Sequence, residues 1–128
     1  MTQKDKELLL KDLCARLPYM TKVRRYRYTT PIDSIQSVEL LGIGWLEELY
    51  GGEAEFKPYL FPLSSMTEEQ SKELDEIDPE FYSLICENGD RYVSMDVRSY
   101  DWFNKNHFDY RGLIEKGLAI DATGLNIY

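Results

Sequence analysis

Leu9, Leu10, Leu13, Cys14 and Leu17 recur at three- and four-residue intervals, and no other feature restricts this chain's folding so firmly. The spacing lays one apolar stripe along a helix. Thr2 stands where a cap belongs, Asp5 and Glu7 fall in the first turns where acids suit the helix dipole, and Pro18 blocks continuation. The sequence therefore predicts a helix over 3–17, with its stripe covered by the rest of one domain. A length of 128 residues suffices for that, since a chain of this size buries a core without disulfides or metals.

What covers the helix reads as small strands. Residues 22–29 form a β-prone run with Val23, Arg25 and Arg27 on one face and Arg24, Tyr26 and Tyr28 on the other. Neither face is cleanly apolar, which predicts an edge strand. Residues 35–44 are β-rich with glycines at 42 and 44, and 45–50 fits a helical turn or a third strand equally well. Pro58 and Pro62 make 56–62 extended. Thr67 and Gln70 form a capping box before a polar helix reaching about Ile77. Asn88 and Gly89, flanked by Leu84–Cys86 and Tyr92–Val93, carry the signature of a two-residue hairpin. Ser99 suits the cap of a helix running through His107 and burying Tyr100 and Phe103. Asp109 suits the cap of a short turn closed by Gly117, ahead of a strand at 118–120. The predicted class is α+β: a small antiparallel sheet from 22–29, 35–50 and 84–95, covered by an N-terminal helix and C-terminal helices over 1–128. An SH3-like half-barrel from residues 20–60 is the alternative arrangement.

Charge is distributed unevenly. Residues 1–31 carry a balance of +5 and the remainder −13, for a net −8. Long-range repulsion of phosphate makes such a chain a poor generic nucleic-acid binder. Lys22, Arg24, Arg25, Tyr26, Arg27 and Tyr28 nevertheless combine four bases with two stacking rings, the chemistry of a single-strand-binding surface. The same residues also suit a strand whose arginines pair with the chain's own acids. Ten tyrosines fit strands and sticky surfaces alike.

Other chemistries find little support. The run Gly42, Gly44, Glu47 imitates a dinucleotide fingerprint but places glutamate where the helix must pack closely. One histidine and the distant Cys14 and Cys86 provide no neighbouring metal ligands, and the acids from Glu68 to Glu80 lack the central glycine of a calcium loop. The sequence thus predicts no metal and no cofactor. His107 and Asp109 are the only nominees for a catalytic pair; the competing reading has His107 closing a helix C-terminus as a partly cationic ring. No apolar run approaches the roughly 20 residues of a membrane span, and residues 1–10 do not read as a signal peptide. These features predict a cytoplasmic protein with two reduced, buried thiols and no membrane partner.

Three segments are distinctive together: Leu10-Lys-Asp-Leu-Cys-Ala-Arg-Leu-Pro-Tyr19, Lys57-Pro-Tyr-Leu-Phe-Pro-Leu-Ser-Ser-Met-Thr-Glu-Glu-Gln70, and residues Trp102 to Ile120. They resemble a family of small uncharacterised proteins from gut bacteria and their phages and mobile elements. The resemblance implies a cytoplasmic protein of prophage origin, and it brings no activity and no catalytic residue. The expected function is therefore that of a non-enzymatic accessory protein that binds another protein. A nucleic-acid-binding module built on 22–28 is the first alternative, and an enzyme of unrecognised type using His107 and Asp109 the second.

Overall fold

The computed structural model describes residues 2–28, 32–42, 44–77 and 97–128. The chain enters through α1 (Gln3–Ala15), where Thr2 and Asp5 form the capping box: the Asp5 N–H donates to Thr2 Oγ1 at 3.1 Å and the Thr2 N–H to Asp5 Oδ2 at 3.0 Å. The buried face is turned relative to the leucine stripe. Leu9, Asp12, Leu13 and Arg16 point inward, at the i, i+3, i+4, i+7 spacing of one helix face, while Cys14 and Leu17 are exposed. Cys14 is thus a surface thiol, contrary to the expectation of burial. Two polar residues can take its place on the inner face because they neutralise each other. The helix ends at Ala15, before a 3-10 turn at Leu17–Tyr19.

Strands β1 (Lys22–Arg27) and β2 (Ile32–Ser37) pair antiparallel, with Arg25 opposite Ser34. A second 3-10 turn (Val38–Leu40) packs against the first. Residues 45–51 form α2 (Trp45–Gly51), closed by the left-handed Gly52, whose N–H bonds back to Glu48 and Leu49. The chain then enters β3 (Ala54–Pro62), which pairs antiparallel with β1 so that Val23 lies opposite Pro58. After α3 (Glu68–Ile77) and α4 (Val97–Lys105), two short strands join β3 in parallel: β4 (Phe108–Asp109) at Phe61–Pro62, and β5 (Ile120–Asp121) at Tyr59–Leu60. The α+β class stands, with a sheet that is mixed.

β1 is not an edge strand. It lies between β2 and β3. Its Val23 face is covered by α1 and α2, and the arginines that share that face are made tolerable by a carboxylate from α2. β3 is an interior strand that contains Pro58, where the missing N–H would ordinarily break a ladder. The backbone groups of successive strand residues point to opposite edges. Phe61 N–H donates to His107 C=O at 2.8 Å on one edge, and Leu60 C=O accepts from Ala122 N–H at 2.8 Å on the other. Pro58 and Pro62 share the parity of Leu60, so their absent N–H groups fall on the edge that β1 and β4 do not use.

The capping box at Thr67 starts α3 as expected, with Gln70 N–H to Thr67 Oγ1 at 3.2 Å and Thr67 N–H to Gln70 Oε1 at 2.9 Å. Ser99 does not cap α4; it is buried within the helix. The expected hairpin at Asn88–Gly89, the strands around it and Cys86 lie outside the described residues. Leu9, Leu13, Val23, Leu49 and Phe56 form one apolar cluster. Leu74, Trp102, Phe103, Phe108 and Tyr110 form a second, and Leu60, Leu113 and Leu118 a third. Among the described residues no helix is long and apolar enough to cross a membrane.

Candidate functional site

Strand alternation divides the basic residues of β1 between the two sheet faces, and each face supplies their partners. Arg24 donates through Nε and Nη2 to both carboxylate oxygens of Asp33 on β2, at 3.0 and 2.9 Å. That hydrogen bonding holds the Asp33 carboxyl below its ordinary range. On the opposite face Arg25 and Arg27 converge on Glu48 of α2, Arg27 Nη2 reaching Oε1 at 2.7 Å and Arg25 making two bonds to Oε2. The Arg25 bond, ahead of the nearby charge of both arginines, lowers the Glu48 carboxyl. Lys22 Nζ donates to Ser37 Oγ at 3.1 Å, and the Tyr28 hydroxyl to Glu55 Oε2 at 3.0 Å. Tyr26 packs edge-on to Tyr28 at 5.5 Å, with the Arg24 guanidinium 6.0 Å from its ring. The six residues nominated for nucleic acid thus do not form one surface.

The nominated catalytic pair is separated in role. Both oxygens of Asp109 are occupied by backbone, accepting from Leu113 N–H and Ile114 N–H at 2.9 Å each. This starts the turn that Gly117 ends in the left-handed region, with Leu118 N–H to Leu113 C=O at 2.9 Å and Gly117 N–H to Ile114 C=O at 3.1 Å. Asp109 caps that turn and does not orient His107. His107 follows α4 with φ +62°, the left-handed position that commonly ends a helix. It closes the helix through its backbone and not as a cation. Burial, with the Arg16 charge beside it, pushes the imidazole down to about 4, so the ring is neutral at pH 7.

Around His107 lies a polar centre that sequence reasoning missed. Arg16 is fully buried; its Nε donates to Asp12 Oδ2 at 2.9 Å and its Nη2 to Phe108 C=O at 2.7 Å. Arg111 Nη1 reaches the other Asp12 oxygen at 2.8 Å. The Tyr110 ring lies 5.4 Å from the Arg16 guanidinium and 4.5 Å from that of Arg111, and its hydroxyl donates to Asn104 Oδ1 at 2.9 Å. Arg16 Nη1 is buried with no hydrogen-bond partner among the described residues, in a region where nearly every buried polar atom is paired. The His107 Nδ1 stands 3.1 Å from Thr21 Oγ1, and the Tyr128 ring stacks on the imidazole at 3.8 Å. Asp12 and Arg16 stand four residues apart on a helix, a visible signal, but that spacing ordinarily marks a surface pair. Tyr128 carries no local motif.

A cleft of about 460 Å³ opens between the start of α1, the end of α2 and residues 116–118; Lys6, Lys57 and Lys116 line it with Asp5 and Glu55. Its charges largely answer one another: Glu55 binds Lys57 at 3.2 Å and accepts the Tyr28 hydroxyl, and Lys6 Nζ donates to Tyr50 C=O at 3.1 Å. Among the described residues no cluster of three or more His, Cys, Asp or Glu side chains is arranged to hold a metal ion. No family model, curated protein or solved structure matches this chain.

Proposed function

We propose that this chain is a non-enzymatic accessory protein that binds another protein. The observation that carries this reading is the surface made by the two adjoining 3-10 turns. Leu17, Met20 and Leu40 stand exposed there, Met20 and Leu40 at 62% and 69%. Met20 also has φ +55°, a left-handed conformation that is uncommon for a residue other than glycine. An unbranched, polarizable methionine on neighbouring turns that also expose two leucines suits a surface that adapts to a partner. The paired arginines of β1 support this reading over a nucleic-acid one, and the backbone-bound Asp109 supports it over an enzymatic one. An exposed, free Cys14 fits a reducing compartment such as the cytoplasm. An accessory role is also what the resemblance of the three sequence segments to proteins of phages and mobile elements implies.

The test is affinity capture from lysate of the source cells, followed by purification of the captured protein and calorimetric titration. The expected result is a saturable complex weakened at least about tenfold by Met20→Asp combined with Leu40→Asp, with the thermal midpoint little changed because both sites are exposed. Equal affinity of wild type and the double variant for the purified partner contradicts the reading.

A further inference from the structure

The β1–β3 ladder contains an insertion. With Val23 opposite Pro58, the register continued by one residue sets Lys22 opposite Tyr59. In place of a direct bond between them stands the Tyr128 hydroxyl. It accepts from Lys22 N–H at 2.7 Å and donates to Tyr59 C=O at 2.8 Å. The ring below it stacks on His107 at 3.8 Å with only 12° between planes, and Phe61 lies 5.8 Å away on a tilt. One hydroxyl therefore satisfies a backbone donor and a backbone acceptor, while its ring is held by an imidazole and a phenyl.

The slot and its occupant differ in anchoring. Lys22, Tyr59 and Phe61 belong to the interior strands, and His107 is bound by backbone to Phe61 and through Nδ1 to Thr21. Residues 123–126 are exposed; among the described residues Thr123 N–H bonds locally to Asp121 and Leu125 N–H to Ala122 C=O, and the Tyr128 hydroxyl ties the segment to β1 and β3. Segments with few buried apolar contacts open at the lowest free-energy cost. The slot also adjoins the exposed apolar surface, because Thr21 and Lys22 directly follow Met20.

We propose that this slot is a tyrosine-recognition site, occupied by Tyr128 in the structure and taken by a tyrosine side chain of the partner protein when residues 123–128 lift away. The partner half rests on the protein-binding reading above; the chemistry of the slot does not. Only a ring bearing a hydroxyl meets both backbone groups, so phenylalanine fits the stack and leaves the Lys22 donor and the part-buried Tyr59 acceptor without their shared partner. Tyr128 competes at the high effective concentration of a tethered group. A partner's tyrosine prevails only when further contacts, such as those at Met20 and Leu40, accompany it.

The test uses the full chain with Tyr128→Ala and N-acetyltyrosinamide as probe, with N-acetylphenylalaninamide as control. The expected result is a probe-dependent rise in the thermal midpoint and a perturbation of the His107 ring resonances, with the phenylalanine analogue binding about tenfold more weakly. Wild type, its slot filled, responds far less. Equal effects of the two amides, or none from either, overturn the site. Should Tyr128→Ala fail to fold, Tyr128→Phe serves in its place: the Lys22 amide is expected to exchange with solvent at least about tenfold faster than in wild type, and an unchanged rate overturns the site. Neither measurement needs a partner, so failure of partner capture and failure of the slot remain distinct results.

Discussion

Asp12→Ala is expected to destabilise the fold by about 3–5 kcal/mol in urea denaturation, the cost of leaving a buried charge uncompensated. Asp12 is fully buried and serves both Arg16 and Arg111. Without it, the Arg16 guanidinium retains the Phe108 carbonyl and the Tyr110 ring as its described partners. The companion measurement is a double-mutant cycle with Arg16→Met. Removing Asp12 together with Arg16 is expected to cost less than the sum of the single losses, because the fully buried Arg16 charge is then no longer left uncompensated and only the part-buried Arg111 loses its Asp12 partner. A single-variant loss below about 1 kcal/mol would mean that the centre is hydrated and outside the core.

Leu13→Ala is expected to cost about 2–5 kcal/mol, through lost burial and the cavity left behind. Leu13 is fully buried in the cluster that joins α1 to Val23, Leu49 and Phe56. Cys14→Ala, one residue along the same stripe, is expected to change stability by no more than about 0.5 kcal/mol, since Cys14 is exposed. Urea midpoints compared at constant slope check both. Similar losses at the two positions would contradict the observed rotation of the helix.

The contrast between Leu13 and Cys14 indicates what was legible in the chain. Features within one turn of helix or one tight turn could be read directly: the cap at Thr2, the capping box at Thr67, and the turn from Asp109 to Gly117. Such features depend on neighbours three to five residues away. The rotation of α1 depends on Arg111 and the Phe108 carbonyl, far along the chain, which let a charged pair occupy the inner face. The interior position of β1 was hidden for the same reason. Two arginines made its inner face look polar until Glu48 of α2 was placed over them. Pro58 and Pro62 marked 56–62 as extended without showing that it pairs on both edges, which only edge parity permits. The Tyr128 slot was the least legible feature, being assembled from residues near positions 22, 59 and 107 with no motif at any of them.

Arg24, Arg25 and Arg27 of β1 are each paired with a carboxylate of the fold, and this pairing is what favours the proposed protein-binding role over a nucleic-acid one. The most direct measurement is fluorescence anisotropy of labelled single- and double-stranded DNA and RNA at physiological salt. With Arg24 paired to Asp33, and Arg25 and Arg27 to Glu48, the arginines of β1 are already neutralised and are poorly placed to displace counterions. The expected result is no complex tighter than the roughly 10⁻⁴ to 10⁻⁶ M of non-specific binding, with Arg25→Ala and Arg27→Ala altering stability and leaving retention negligible. A sub-micromolar complex, weakened by those same substitutions and by added salt, would contradict it.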